Sequence, residues 1–482
     1  MFMVSRFKLI LVLLQVGCLG IVPLQALDLT PWLPKEKPME LNSNLGVSVV
    51  SGLKISKAPL KSWEISNAVE MTVDSSRNIL ICGPGFLHKL EVKNGEYGQA
   101  QKTVPFTNLG MDYRDIVAVG ADVYAGTNQG LWRFTDNDGD GISDGHPKQI
   151  QKWQLKKNHH LKMILSHHRE ILISGVWDWV GSSKSAQNGG KILRYNLSTN
   201  ALSNYADGFH SPTALGRNLY GDTFCYDKGQ LEGRGLPEII GSKFYHVSPN
   251  GFHGYSEISH LVHYQTGHYP ESAPYAHFSG LNDYTDFEEY RHYHLPVDFF
   301  YGGLFGCDWM SGKLIYFQLN PIKSSYIPQS FIVAEAYEKN GWSPRCVCVT
   351  PEGKLLVISS GLSGPGGLYI VQSVFPASTP NPKSEIQVTI NQPQPFSSWS
   401  YKEWGPLAHA IDEEDFLDIL IKTKPTLLEK LAALDCLIVK DFSINDELFD
   451  ELKLLLNEEV FGYLAQRLNS NKKKTSTLAP RT

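Results

Sequence analysis

Between about residues 61 and 374 the chain alternates short apolar runs with polar turns, in runs too short for helices. Met71-Thr72-Val73, Ile79-Leu80-Ile81-Cys82 and Leu87-His88-Lys89-Leu90 read as three strands joined by tight connections. β-Branched and aromatic residues bounded by Gly, Asn, Asp and Pro are the strand pattern. The same order returns at 116–119, 123–126 and 130–134, and again at 163–165, 171–175 and 189–195. A looser copy includes Thr213-Ala214-Leu215, Thr223-Phe224-Cys225-Tyr226 and Phe244-Tyr245-His246-Val247. A fifth holds 303–308 and 313–317, and the sixth runs through 346–349, the Pro351-Glu352-Gly353 turn, 355–358 and 367–371. Six sheet units with uneven insertions predict a mainly β fold, a six-bladed β-propeller over 61–374. A solenoid needs a stricter period, whereas radial repetition leaves only short protected edges. Loops between blades converge on one face, which is where a ligand would sit.

The flanks read differently. Residues 27–60 are mixed and Pro-containing, an extended lead-in. From 375 to 402, Pro376, Pro380, Pro382, Pro393 and Pro395 with interleaved Ser and Asn predict a linker. Beyond it the apolar spacing becomes helical over 403–470. Asp412-Glu413-Glu414-Asp415 precedes Phe416, Leu417, Leu420 and Ile421, a helix start with acids at the favourable end of the dipole. Further stripes (Leu427, Leu431 and Leu434; Leu448, Leu452 and Leu455; Val460, Leu464 and Leu468) predict a small all-α, HEAT-like unit before a basic tail at 471–482.

At the N-terminus Arg6 and Lys8 precede an apolar run from Leu9 to Val22, and Leu24-Gln25-Ala26 forms a cleavage site. That is a signal peptide over 1–26, too short for a comfortable membrane span, and it predicts an exported, periplasmic or secreted chain. Lipid attachment at Cys18 ranks second, because Gln15 suits it poorly. No later stretch is long and apolar enough for a transmembrane helix, and a net charge of −5 gives no argument for nucleic acid. The scattered Cys82, Cys225, Cys307, Cys346, Cys348 and Cys436 read as buried thiols rather than a disulfide framework.

The most specific local signal is Asp136-Asn137-Asp138-Gly139-Asp140-Gly141-Ile142-Ser143-Asp144. Carboxylates at alternate positions repel unless a hard cation takes their oxygens, and Gly141 allows the sharp turn. Asp136, Asp138, Asp140 and Asp144 are predicted calcium ligands, joined by the Ile142 carbonyl, in a structural clip. Pro147 stands where an EF-hand has its glutamate, and a metal-free Asp/Gly turn is the alternative. Eight histidines fall between His246 and His294, with metal-compatible spacing at His260/His263 and His292/His294, but scattered loop histidines are the simpler reading.

His159-His160, the following hairpin, Gly189-Gly190-Lys191-Ile192-Leu193-Arg194 and Gly208-Phe209-His210-Ser211-Pro212 resemble, in that order, the soluble quinoprotein glucose/sorbosone dehydrogenase family. His246-Val247-Ser248-Pro249-Asn250-Gly251 and the run from Leu304 to Ile315, with Asp308-Trp309, extend the resemblance. The run from Leu304 to Ile315 resembles a blade characteristic of exported dehydrogenase-like proteins of planctomycete and verrucomicrobial bacteria, whose propellers precede HEAT-like helices. The resemblance implies a propeller that holds pyrroloquinoline quinone (PQQ), a histidine general base, and oxidation of a sugar or alcohol. It makes His160 the base, with His159 the close second, and puts Lys191, Arg194, His210 and His246 near the cofactor. No haem attachment motif is present, so electrons would pass to a separate acceptor such as a cytochrome c. Two departures stand out: Ser166-His167-His168-Arg169 replaces the family's G-P-D-G turn, and His210 replaces its arginine. Imidazole offers one donor where guanidinium offers a planar fork. They keep a second reading open, a non-catalytic propeller that binds carbohydrate or protein at the cell envelope.

Overall fold

The computed structural model describes residues 37–374 except 93–95, 154, 156–159, 167–169, 177–189, 219–221, 229–241, 254–275, 279–282, 291–293, 297–298, 300–302, 323–324, 338–341 and 361–365. Past 374 it describes 408, 410–421, 430, 433, 436–437, 450 and 452–454. The signal peptide, linker, basic tail and most of the HEAT-like stripes therefore lie outside the described residues.

Three strands come first: β1 (Met39–Asn42), β2 (Val47–Val50) and β3 (Leu53–Lys57), followed by a one-turn helix α1 (Ser62–Ile65). Blade I is β4 (Glu70–Val73), β5 (Ile79–Gly83), β6 (Phe86–Glu91) and β7 (Lys102–Thr107). Blade II is β8 (Tyr113–Val119), β9 (Asp122–Thr127), β10 (Gly130–Thr135) and β11 (Asp144–Lys152). Blade III is β12 (Leu161–Ser166), β13 (Glu170–Val176), β14 (Gly190–Asn196) and β15 (Ala201–Phe209). Blade IV is β16 (Pro212–Arg217), β17 (Thr223–Asp227), β18 (Ser242–His246) and β19 (Ala276–Phe278). Blade V is β20 (Tyr284–Glu289), β21 (Leu304–Asp308), β22 (Lys313–Ile322) and β23 (Ser325–Ala336), extended outward by β2 and β1. Blade VI is β24 (Pro344–Val349), β25 (Leu355–Ser359) and β26 (Gly367–Ser373), completed by β3.

The described residues thus form six antiparallel sheets, a six-bladed β-propeller. The first strands of successive blades, β4, β8, β12, β16, β20 and β24, touch in a closed ring, and β24 returns to β4. Each blade packs both faces against neighbours, so strands such as β17 and β25 are buried at every residue. That explains why their sequences read as continuous apolar runs rather than as alternation. Between blades IV and V the core is aromatic: Phe244 stacks on Phe317 with centroids 5.4 Å apart and meets Phe287 edge-on at 5.5 Å.

Residues 37–60 are not a lead-in. Val47, Val49, Val50, Leu53 and Ile55 are all buried, and β3 pairs Ile55 with Val371 to close the ring. The short Gly-interrupted runs of this segment hid the two strands that extend blade V and the strand that closes blade VI. Toward the C-terminus, α2 (Glu413–Ile421) carries Glu413, Glu414 and Asp415 in its first turn and buries Phe416 and Leu420.

Candidate functional site

Four of the six inner strands carry the same irregularity near their first residue. A β-bulge interrupts the register between Tyr113 and Asp115, Pro212 and Ala214, Tyr284 and Asp286, and Pro344 and Cys346. A bulge adds an unpaired residue and re-aims its side chain. The bulged residues are Arg114, Thr213, Thr285 and Arg345. The two threonines tie blade to blade: Thr213 Oγ1 donates to the Tyr284 carbonyl at 2.8 Å, and Thr285 Oγ1 to the Arg345 carbonyl at 2.5 Å. The two arginines belong to the same end of the ring, here called the mouth.

His160 immediately precedes β12 at this end, only partly exposed. Its pKa is lowered to about 4, first by burial; Asp283 works against the shift, and Lys228, Arg345 and Arg114 add to it. The imidazole is therefore neutral at physiological pH, with its ring nitrogens able to take a proton. Asp283 is fixed from three sides. Its N–H donates to Asp308 Oδ1 at 3.1 Å, its carbonyl accepts from the Trp309 N–H at 3.1 Å, and Oδ2 lies 2.6 Å from Lys228 Nζ. Asp283 Oδ1 is buried with no hydrogen-bond partner among the described residues. Arg114 Nη2 is 2.6 Å from Asp112 Oδ2, and burial lowers the Arg345 pKa from its ordinary range. The mouth therefore gathers the neutral base His160, the buried carboxylate of Asp283, and the cations Lys228, Arg345 and Arg114, the last already paired with Asp112, from blades II to VI.

Below the mouth lies a cavity of about 160 Å³ in the central channel. Its upper wall is a charged layer in which Lys162 Nζ bonds Glu70 Oε2, lies 2.9 Å from Asp286 Oδ1 and is 3.5 Å from Asp115 Oδ2. The carboxylates also cap N–H groups of adjoining inner strands. Asp115 Oδ2 accepts from Met163 N at 2.9 Å, Asp286 Oδ2 from Val347 N at 2.8 Å, and Glu288 Oε1 from Val349 N at 3.3 Å. An inner strand is a sheet edge, and its N–H groups need such partners when buried. Farther down, Arg217 Nε lies 3.3 Å from Glu289 Oε2.

The residues expected at the site divide. His160 belongs to the mouth cluster, and His159 lies outside the described residues. His210 stands at the mouth end of blade IV with Nδ1 2.8 Å from the Lys228 carbonyl, and its N–H donates to Asp227 Oδ2 at 2.9 Å. Lys191 is level with Leu161 through Gly175, but two strands out from the channel. Arg194 is not brought to the mouth: it pairs with Leu172 partway down blade III, and its Nε lies 3.3 Å from Ser203 Oγ. His246 is also away from the mouth. β18 starts there at Ser242 and runs away from it, so His246 ends at the far face, stacked on Phe224 at 5.3 Å and 3.6 Å from Asp222 Oδ1. The segment's buried histidine is His253, 4.3 Å from the Phe209 ring and bonded through Nδ1 to the Asp207 carbonyl at 3.0 Å.

Sequence reasoning missed Arg114, Lys228, Asp283 and Arg345. Aligning Tyr113-Arg114-Asp115, Pro212-Thr213-Ala214, Tyr284-Thr285-Asp286 and Pro344-Arg345-Cys346 on one another was the available signal. The Asp308-Trp309 motif did carry information, because both residues hold the Asp283 backbone.

Between blades I and II the Asp-rich loop is folded as a tight turn. Asp136 accepts from Gly139 N at 2.8 Å and Gly141 N at 2.9 Å, and Asp144 from Asn137 N at 2.7 Å. Gly139 and Gly141 take φ of +74° and +78°, which favour glycine. Carboxylate oxygens of Asp136, Asp138 and Asp144 lie within 4.8 Å of one another. Asp140 Oδ1 instead accepts from Ile142 N at 2.7 Å. Cys82, Cys225, Cys307, Cys346, Cys348 and Cys436 are buried, and no disulfide occurs among the described residues.

No family model and no curated protein matches the chain. Solved structures do. The calcium structure of a Trichoderma reesei carbohydrate-active enzyme of family AA12 aligns with a TM-score of 0.53 at 11% identity, covering 71% of this chain and 100% of that one. The holo form of the pyranose dehydrogenase PQQ domain from Coprinopsis cinerea aligns with a TM-score of 0.52 at 11% identity, covering 70% of this chain and 98% of that one. At that identity the likeness establishes the shared propeller fold.

Proposed function

We propose that this protein is an exported dehydrogenase that oxidises a CH–OH group of a sugar or alcohol, with PQQ held at the mouth of the propeller. The observation that carries the reading is the neutral His160 beside Asp283 and among Arg114, Lys228 and Arg345. Those residues fit an anionic quinone: three cations answer its carboxylates, and the guanidinium groups of Arg114 and Arg345 supply forks that His210 does not. When bound, the quinone supplies the acceptor for the substrate's hydride. His160 takes the hydroxyl proton, and Asp283 favours the imidazolium that results. The unpartnered Asp283 Oδ1 is a ready acceptor for a second substrate hydroxyl. A separate acceptor such as a cytochrome c would be needed to take up the electrons. The signal at 1–26 directs export, and the clustered carboxylates of Asp136, Asp138 and Asp144 hold calcium as a structural clip.

The test is reconstitution of the full chain with calcium and PQQ, followed by aldoses or primary alcohols with a dye acceptor. A quinone absorbance shift on binding and dye reduction lost in His160→Gln are expected. Neither signal in the wild type would overturn the reading and leave an envelope-binding propeller.

A further inference from the structure

The channel beneath the mouth holds more acid than the site above it uses. Five carboxyl groups, Glu70, Asp115, Asp286, Glu288 and Glu289, line its cavity against two cations, Lys162 and Arg217. The oxygens of Glu70, Asp115 and Asp286 gather on Lys162 Nζ, so an ammonium rather than a metal is the cation of that layer. Arg217 is matched by Glu289. Full ionisation would leave three acids unmatched in one partly enclosed cavity, five against two, which mutual repulsion and burial of Asp115 and Asp286 oppose. Protons are the remaining neutralising species. Glu288 is pushed up to about 8, first by burial and then by Asp286; Glu289 adds to this, while Val349 N and Arg217 oppose it. Asp115 is likewise raised, chiefly by burial, and its Oδ1 has no hydrogen-bond partner among the described residues.

The placement of these groups is directional. His160 directly precedes β12 and Lys162 is the second residue of that inner strand, so their backbones stand about 6.6 Å apart along the channel wall. One layer lower, the channel is lined by Thr72, Val117, Ile164, Gly216, Glu288 and Cys348, among which Glu288 is the carboxyl group. A Cβ on Gly216 would stand 2.8 Å from Phe287 Cβ, so this glycine lets β16 pack closely against β20. A polar cavity of this size has room for water that would bridge the layers.

We propose that the channel is a proton exit, in which the proton accepted by His160 passes to the carboxylates around Lys162, then to Glu288, and leaves at the far end beside Glu289 and Arg217. This rests on the reading of His160 as the base. The imidazolium loses the proton it took from the substrate hydroxyl, a carboxylate gains it, and solvent finally receives it. No electron travels this way. The cations at the mouth supply the need, because Lys228, Arg345 and Arg114 all oppose a standing positive charge on His160.

The experiment compares wild type, Glu288→Gln and Glu288→Asp as full chains loaded with calcium and PQQ. Dye reduction is followed across neutral pH in H₂O and D₂O, with quinone absorbance as the check on folding and loading. Glu288→Gln should lower kcat several-fold and raise the solvent isotope effect while KM and absorbance stay unchanged, and Glu288→Asp should restore most of the rate. An active wild type with unchanged kcat, pH profile and isotope effect in Glu288→Gln overturns the proton exit alone. A wild type that reduces no dye overturns the oxidation reading and the exit with it. Should Glu288→Gln lose its absorbance, the isotope effect of Glu288→Asp decides in the same way: raised supports the exit, unchanged overturns it.

Discussion

Lys228 Nζ and Asp283 Oδ2 stand 2.6 Å apart across the seam between blades IV and V. Lys228 keeps 40% of its side chain exposed while Asp283 keeps 7%, so the lysine brings a partly solvated charge to a buried carboxylate. The two act on His160 with opposite signs. Lys228→Met should therefore raise the His160 pKa above its value of about 4, and Asp283→Asn should lower it further. Carbon-13 histidine titration by NMR would read both shifts; movement in the same direction would contradict the arrangement.

The same imidazole sets a pH dependence of stability. Its folded value of about 4 lies below the ordinary histidine value of about 6.5, so the unfolded chain takes up the proton first. Its contribution is full above pH ~6.5, is lost as pH falls toward about 4, and changes no further below that. His160→Gln should flatten the curve of unfolding free energy against pH in that window by up to one proton's slope. Urea midpoints measured at intervals through the window would show it.

Lys162→Met should destabilise the fold by about 3–5 kcal/mol, because it leaves Glu70, Asp115 and Asp286 without their shared ammonium. Asp115 is already held up by burial, and loss of the lysine pushes it the same way. The folded variant then binds protons more tightly than the unfolded chain does, so its deficit should shrink as pH falls. Chemical denaturation at neutral and mildly acidic pH checks both the size and the sign.

In the Asp-rich loop two substitutions separate local folding from calcium. Asp136 accepts two backbone N–H bonds, so Asp136→Ala should cost about 1–3 kcal/mol even without the ion, and more with it. Asp138 accepts one longer bond, 3.2 Å from Asp140 N, at an exposed site. Asp138→Asn should therefore matter chiefly when calcium is present. Thermal melts with calcium and with a chelator test this: a bound ion at a hundredfold over its Kd adds about 2.7 kcal/mol to the wild type.

The propeller was legible because its blades repeat a grammar of strand, turn and strand, and Cys346-Val347-Cys348-Val349 with Leu355 to Ile358 shows it openly. The closing strand was not, since Leu53 and Ile55 gain their meaning only from Val371 and its neighbours at the other end of the ring. His160 was singled out by the family resemblance, and it lies among the charged groups of the mouth. Its companions were not singled out, because Arg114 and Arg345 are aimed by bulges and Asp283 by a backbone clamp, neither of which leaves a periodic trace. His246 and Arg194 were misplaced for a related reason: family spacing located their blades, while strand direction and distance from the channel decided what they meet.

The pairing of β3 with β26 acts as a clasp whose two halves lie far apart in the chain. Until 367–373 has been made and folded, Leu53 and Ile55 belong to an open arc with an unpaired hydrogen-bonding edge. So distant a closure forms slowly and leaves the arc open to association with other chains or capture by chaperones. Once fastened, the clasp joins the first and last blades, and undoing it means opening the whole wheel rather than peeling one spoke.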